Sequence, residues 1–407
     1  GKGAGAVSTN TAVGASALPA NTSGANNTVL GAAALASNTT GSRNTVVGNA
    51  SALSNTSGTD NTIFGYDAFE INTSGSYNIA VGGQSVYNNT TGNYNVGVGY
   101  RALFFNTTAS NNTAVGYQSL YNNTTINSNT AVGYQAAYSN QTGPYIVAVG
   151  KSAGYANTAG NLTAVGFQAA QNTTTGTDIA GFGLNALVTN TTGSNNTALG
   201  HFALQANTTA SNNTAVGYQA GYAITTGERN AILGTQALVG GTTASYSTAV
   251  GYAAYSGSSA TGNHVTALGY GALANNTSGS YNIAVGSNAL NSNTTASNNT
   301  AVGYQAGYTN QTGTQSTFIG QQAGYNTGTG NGSNVFVGYS AGYNAAASYN
   351  TGVGNNVLNA ATGNLNCGFG YNAGYSLTSG TYNTFIGPYA GYYVSTGGKN
   401  TIIGNYS

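Results

Sequence analysis

The sequence predicts an all-β fold, a β-solenoid of about 24 coils with a period of about 17 residues. Three observations predict it. One glycine column recurs along the chain, from Gly14, Gly31 and Gly48 through Gly303 and Gly320 to Gly387 and Gly404. An apolar residue stands before nearly every one of these glycines, as in Val13, Leu30, Phe64, Leu268 and Ile386. The segments between are rich in Asn, Thr, Ser and Gly, the composition of turns. A unit of about 17 residues is too short for a helical-hairpin repeat, which needs about 33. Repeated glycine also opposes helix, at about 1 kcal/mol for each interior position.

The elements follow from the best-kept stretch, Asn299 to Tyr308, which recurs almost unchanged as Asn213 to Tyr222 and Asn112 to Tyr121. Asn-Thr-Ala-Val-Gly reads as a short strand that the glycine ends in a turn. Tyr-Gln-Ala-Leu-Tyr reads as a second short strand. Asn-Thr-Thr-Gly-Ser reads as the return loop, where intervals one residue longer or shorter are absorbed, as between Gly251 and Gly269. The chain reads as one continuous solenoid over residues 1–407. Neither end carries a recognisable polar cap, so the expectation is a processed chain or a segment of a longer one.

Stacking turns columns into ladders. The Asn before the strand (Asn27, Asn95, Asn282) is expected to form an amide ladder. The small residue three places after the glycine (Ala34, Ser85, Ala306) is expected inside. The Val column is expected to fill the coil. The neighbouring Ala column, as in Ala114 and Ala301, must then point to the opposite face. An apolar strip of that length exceeds what a monomer normally exposes. Burial against copies of the same chain, as a homotrimer, is therefore expected. Ile63, Phe318, Phe336 and Phe385 would mark places where the bundle is wider or plugged.

Composition excludes several classes. Of 407 residues only 6 are Lys or Arg and 5 are Asp or Glu. Such a chain builds no long-range field, which argues against nucleic acid and anionic membranes. No apolar span of 18 residues and no secretory h-region is read in these residues, so membrane insertion is not expected of them. Cys367 is alone and replaces a strand Thr, so it reads as a small buried or half-buried residue. The recurring large apolar residues argue against disorder.

The search for chemistry gives no catalytic, cofactor or metal residue. Asp67 and Glu70 share a coil and read as a solvated loop pair. His201 and His264 lie several coils apart, and Glu228-Arg229 reads as a surface pair of little value. Lys2, Arg43, Arg101, Lys151 and Lys399 are scattered, and no Gly-Lys-Ser/Thr or calcium-roll motif occurs. Asn-x-Ser/Thr sequences fall where the repeat needs Asn and Thr anyway. Tyr is the residue in excess, at 31. One column follows the glycine (Tyr117, Tyr134, Tyr218, Tyr304) and a second lies further on (Tyr121, Tyr222, Tyr308). These seven are the candidate surface contacts. Tyr is rigid, amphipathic and inexpensive to order, though a stacked ladder that stiffens the roll would use the same residues.

Asn-Thr-Ala-Val-Gly followed by small residues resembles the head repeat of trimeric autotransporter adhesins. The longer Asn-Thr-Ala-Val-Gly-Tyr-Gln-Ala-Leu-Tyr array is similar to repeats in bacterial and phage tail-fibre-like proteins. The resemblance spans essentially the whole chain, with the extra length of this unit in the Asn-Thr-Thr-Gly loop. It implies a left-handed parallel β-roll, three chains about one axis, displayed on a cell or virion surface for attachment. The expected function is thus a non-enzymatic structural fibre or adhesin segment contacting a host-surface glycan or receptor. Two alternatives are a purely structural extracellular filament that self-associates end to end, and an ice-binding β-solenoid.

Overall fold

The computed structural model describes residues 7–405, so Lys2 lies outside the described residues. It is all-β, with 24 strands of three or four residues and no helix among the described residues. The chain divides into two compact units, Gly1–His201 and Phe202–Ser407. The first holds β1 (Thr11–Val13) to β12 (Thr197–Leu199), the second β13 (Thr214–Val216) to β24 (Thr401–Ile403). Within each unit successive strands pair in parallel, like on like. Thr113, Ala114 and Val115 of β7 (Thr113–Val115) pair with Thr130, Ala131 and Val132 of β8 (Thr130–Val132). The period of about 17 residues is therefore one turn of a β-solenoid.

Only one strand forms per coil. The Tyr-Gln-Ala-Leu-Tyr segment, expected to be a second strand, is an arch of turns. Its Gln and Leu columns adopt left-handed backbone, with φ of 52° at Gln118 and 47° at Leu120. Such residues cannot continue a pleat, and each costs about 1–2 kcal/mol outside glycine. The arch nonetheless hydrogen-bonds along the axis as a strand would. Gln118 N–H donates to Tyr100 O at 3.0 Å, Leu120 N–H to Ala136 O at 3.0 Å and Asn122 N–H to Tyr138 O at 3.0 Å. At the column glycine the strand meets the arch with φ near 135°, as at Gly99. A side chain there would run into the backbone of the next coil.

The interior reverses one sequence expectation. The alternation of the strand is as read, but the Ala column points inward and the Val column outward. Ala114, Ala131 and Ala301 are fully buried, whereas Val13, Leu30 and Val302 are exposed. The reason is volume. The arch sends its Leu column inward beside the small column, as with Leu103 and Leu120, so in most coils a small strand residue completes the interior. In three coils a strand phenylalanine is accommodated because the arch residue is glycine. Phe318, Phe336 and Phe385 are fully buried in their own coils and stand against Gly324, Gly342 and Gly391. They fill this chain's own interior and do not mark a wider bundle. Ile63 is likewise fully buried inside its coil.

Two Asn ladders run along stretches of the coils. The expected one precedes each strand: Asn44 N–H donates to Asn27 Oδ1 at 2.9 Å, and the pattern repeats coil by coil. The other uses the Asn of the return loop, which is buried rather than on the surface. Asn38 Nδ2 donates to Asn21 Oδ1 at 2.9 Å and Asn55 Nδ2 to Asn38 Oδ1 at 3.0 Å. The ladders converge on one carbonyl per coil. Gly41 O accepts from Asn27 Nδ2 at 2.9 Å and from Asn38 Nδ2 at 3.0 Å. The buried Tyr255 makes the corresponding bond in a coil without a loop Asn, donating its hydroxyl to Gly262 O at 2.6 Å. Each ladder bond satisfies a buried polar group that would otherwise cost about 1–3 kcal/mol.

Candidate functional site

Two kinds of exterior follow from this coil. The strands turn Thr and Val columns outward, as a sheet face without a charged side chain at any outward strand position. The arch turns out three adjacent columns: aromatic, Gln and aromatic. The most regular stretch of these lies in the first unit, between Gln84 and Tyr155.

In that band the rings stack along the axis. Tyr87, Phe104, Tyr121, Tyr138 and Tyr155 form one continuous row, with centroids 5.1, 5.3, 5.0 and 5.0 Å apart and interplanar angles of 13° or less. Tyr100, Tyr117 and Tyr134 form a second row at 5.7 and 5.2 Å. Lys151 continues it, its ammonium 5.8 Å from the Tyr134 ring and 5.5 Å from the Phe167 ring. The coil rise dictates this geometry. Strands stack at about 4.8 Å, which falls inside the 4.5–7 Å range of ring pairs.

A polar row runs between the aromatic ones. Arg101 Nε donates to Gln84 Oε1 at 2.8 Å, and Gln135 Nε2 donates to Gln118 Oε1 at 2.8 Å. The Arg101 guanidinium fixes the arrangement, with its carbon 5.1 Å from the Tyr100 ring and 5.2 Å from the Phe104 ring. Burial, with the neighbouring phenols Tyr121 and Tyr155, holds the Tyr138 hydroxyl above the usual phenol range. It therefore stays neutral and able to donate.

The seven candidate tyrosines all lie on arches. Tyr117, Tyr134 and Tyr121 belong to the first unit's band. In the second unit Tyr308 stacks on Tyr325 at 5.2 Å, and Tyr218 and Tyr222 meet Phe202 edge-on at 6.2 and 6.5 Å. Tyr304 is exposed beside the Gln322–Gln305 hydrogen bond of 3.1 Å. The stacked ladder that the sequence allowed is thus present. Its consequence is chemical: stacked rings cover one another's faces, so edges and hydroxyls are what they present. Compared with family models, curated proteins and solved structures, this chain matches none.

A third aromatic column escaped sequence reasoning. Tyr77 stacks on Tyr94 at 5.0 Å, and His264 lies between Tyr246 and Tyr281 at 4.9 and 5.0 Å. Its signal is a Tyr two places before the first strand residue, as Tyr77 before Ile79 and Tyr246 before Thr248. Charged residues also pair along the axis. Arg43 reaches Asp60, one coil on, through two bonds of 2.6 Å, which draws the Asp60 carboxyl below its ordinary range. Arg229 lies 4.0 Å from Glu228 and donates to Tyr246 Oη at 2.6 Å. Asp67 and Glu70 are not the solvated pair expected. Asp67 is buried and Glu70 half-buried, and burial together with Asp67 raises the Glu70 carboxyl. Cys367 is half-buried, as its Thr position implied, and burial raises its thiol. Among the described residues no group of three or more His, Cys, Asp or Glu gathers, and no helix is long and apolar enough to cross a membrane.

Proposed function

We propose that this chain is a structural segment of a surface-displayed fibre used for attachment, with several copies, a homotrimer in the simplest case, associating through their Thr/Val sheet faces. The observation that carries this reading is the outward side of the strands. In each unit twelve strands turn out Thr, Val, Ile, Leu, Phe, Ala or Cys and nothing charged. Two outward columns about 7 Å apart, repeated every ~4.8 Å, make a strip on the order of 400 Å² per unit. That is at the level of the largest apolar patch a monomer carries, and such patches usually have partners. A copy seated there leaves the arches free to touch a target.

Sedimentation tests the association. Wild-type protein is expected as a defined multimer at micromolar concentration. A variant with Val115→Lys, Val149→Lys, Val250→Lys and Val285→Lys, all outward, is expected to be a monomer with unchanged circular dichroism. A monomeric wild type would remove the reading.

The same face favours one second reading. Rows of Thr in register, flanked by Val and free of charge, are also a surface that can order water, as in an ice-binding solenoid. Thermal hysteresis in wild-type protein, lost in Thr113→Lys/Thr130→Lys, would select it. Its absence would leave the fibre reading alone.

A further inference from the structure

We propose that the three-row band of the first unit, Gln84 to Tyr155, is a binding surface for a linear β-linked polysaccharide lying along the coil axis. The proposal rests on the attachment reading and names what is attached to. Three features of the band carry it.

The first is repeat length. An extended β-linked pyranose chain advances by about one ring length per sugar, and the rows of the band repeat at 5.0–5.3 Å over Phe104, Tyr121, Tyr138 and Tyr155. On the three central coils, those of Arg101, Gln118 and Gln135, each sugar therefore meets much the same rung as its neighbour, a carboxamide or guanidinium in the middle and an aromatic edge on either side, while Gly83 and Lys151-Ser152 mark the two ends of the band.

The second is the kind of contact offered. Because the rings stack, a sugar cannot lie flat on their faces within the row. What remains is a comb of phenol hydroxyls and amide groups, donors and acceptors together, which suits a polyol. The comb is already rigid. Ring stacking and the Gln135–Gln118 hydrogen bond of 2.8 Å fix side chains that a ligand would otherwise have to order.

The third is what the band excludes. Its backbone groups are engaged coil to coil, as in Gln118 N–H to Tyr100 O and Asn122 N–H to Tyr138 O, so a peptide strand finds no edge to extend. Arg101 and Lys151 are its only charged side chains. Two cations on five coils are too few for nucleic acid, whose binding scales with the phosphates neutralised. The acidic coil carrying Asp67 and Glu70 lies just before it and sets an unfavourable boundary for a chain bearing carboxylates.

Calorimetric titration of the full chain tests this with β-linked glucan oligomers of increasing length and with a polymannuronate. Affinity is expected to rise with length up to about one sugar per rung. Tyr121→Phe/Tyr138→Phe keeps both ring stacks and removes only the hydroxyls. It is expected to bind roughly tenfold more weakly, as two lost hydrogen bonds imply. Retained affinity in that variant, or no binding by any member of the panel, would overturn the proposal. Sedimentation of the same samples separates the two readings: a multimer that binds no glycan refutes the ligand while keeping the fibre, whereas a monomer refutes the fibre.

Discussion

Two adjacent glycines give the sharpest test of the coil geometry. Gly82 ends β5 (Ile79–Val81), and Gly83 begins the following arch. At Gly82 φ is 120°, and a methyl group would lie 2.8 Å from both C and O of Gly99 in the next coil. At Gly83 the nearest atom to such a methyl group is Tyr100 Cδ2 at 3.5 Å, an ordinary contact. Backbone strain in a glycine-only region costs about 1–3 kcal/mol. Forcing atoms into a packed space costs about 1–3 kcal/mol more. Gly82→Ala should therefore lose roughly 2–6 kcal/mol, and Gly83→Ala should stay within about 0.5 kcal/mol of wild type. Because coils touch only their neighbours, the damage should be local. Hydrogen exchange read by mass spectrometry should show lost protection at the coils on either side of Gly82 before denaturant melts shift as a whole. Equal melts and equal exchange in the two variants would refute the close stacking of each column glycine on the next coil.

Three further outcomes follow from the interior and its charges. Phe318→Ala should cost about 3–5 kcal/mol and Gly324→Leu should cost several through collision with Phe318. The double variant restores the Ala–Leu pairing of Ala114 and Leu120, so urea melts should show it losing far less than the sum of the two. Thr327 stands where the loop ladder ends after Asn310, and Asn310 Oδ1 and Thr327 Oγ1 are buried without partners. Thr327→Asn supplies the missing amide and should raise stability by about 1–2 kcal/mol in denaturant melts. The Glu70 carboxyl is raised by burial and by Asp67. A carboxyl raised in the folded state binds more protons there than in the unfolded chain, so its contribution to stability falls as pH rises above the ordinary Glu value of about 4.3. Glu70→Gln should melt higher than wild type at pH 7, with the gap closing below about pH 4; a gap that persists in acid would show that charge is not the cause.

The period, the strand and the first Asn ladder are legible in the sequence because each rests on one column that hardly varies. Asn27, Asn44 and Asn61 repeat at the coil period, and stacking alone makes them neighbours. What fails is any inference needing two columns to be placed in the same space. Alternation shows that Ala and Val oppose each other, yet alternation does not say which side is inside. In globular domains, where interiors are thick, the larger residue is the natural core candidate. Here the arch already fills the coil with Leu.

A readable signal for the true orientation lies in the chain itself. In the coils of Phe318, Phe336 and Phe385 the strand column gains an aromatic ring and the Leu column falls to Gly. Residues that trade volume share a cavity, so the Ala and Leu columns have to be the inward ones. By the same reasoning the Val column has to be outside, where it faces no partner column of its own chain. The apolar strip that argues for association is accordingly made of Val, Leu, Ile and Phe rather than Ala. A strip of larger side chains takes more apolar area out of water on contact, which strengthens the physical case for a second copy while changing the side on which it must sit.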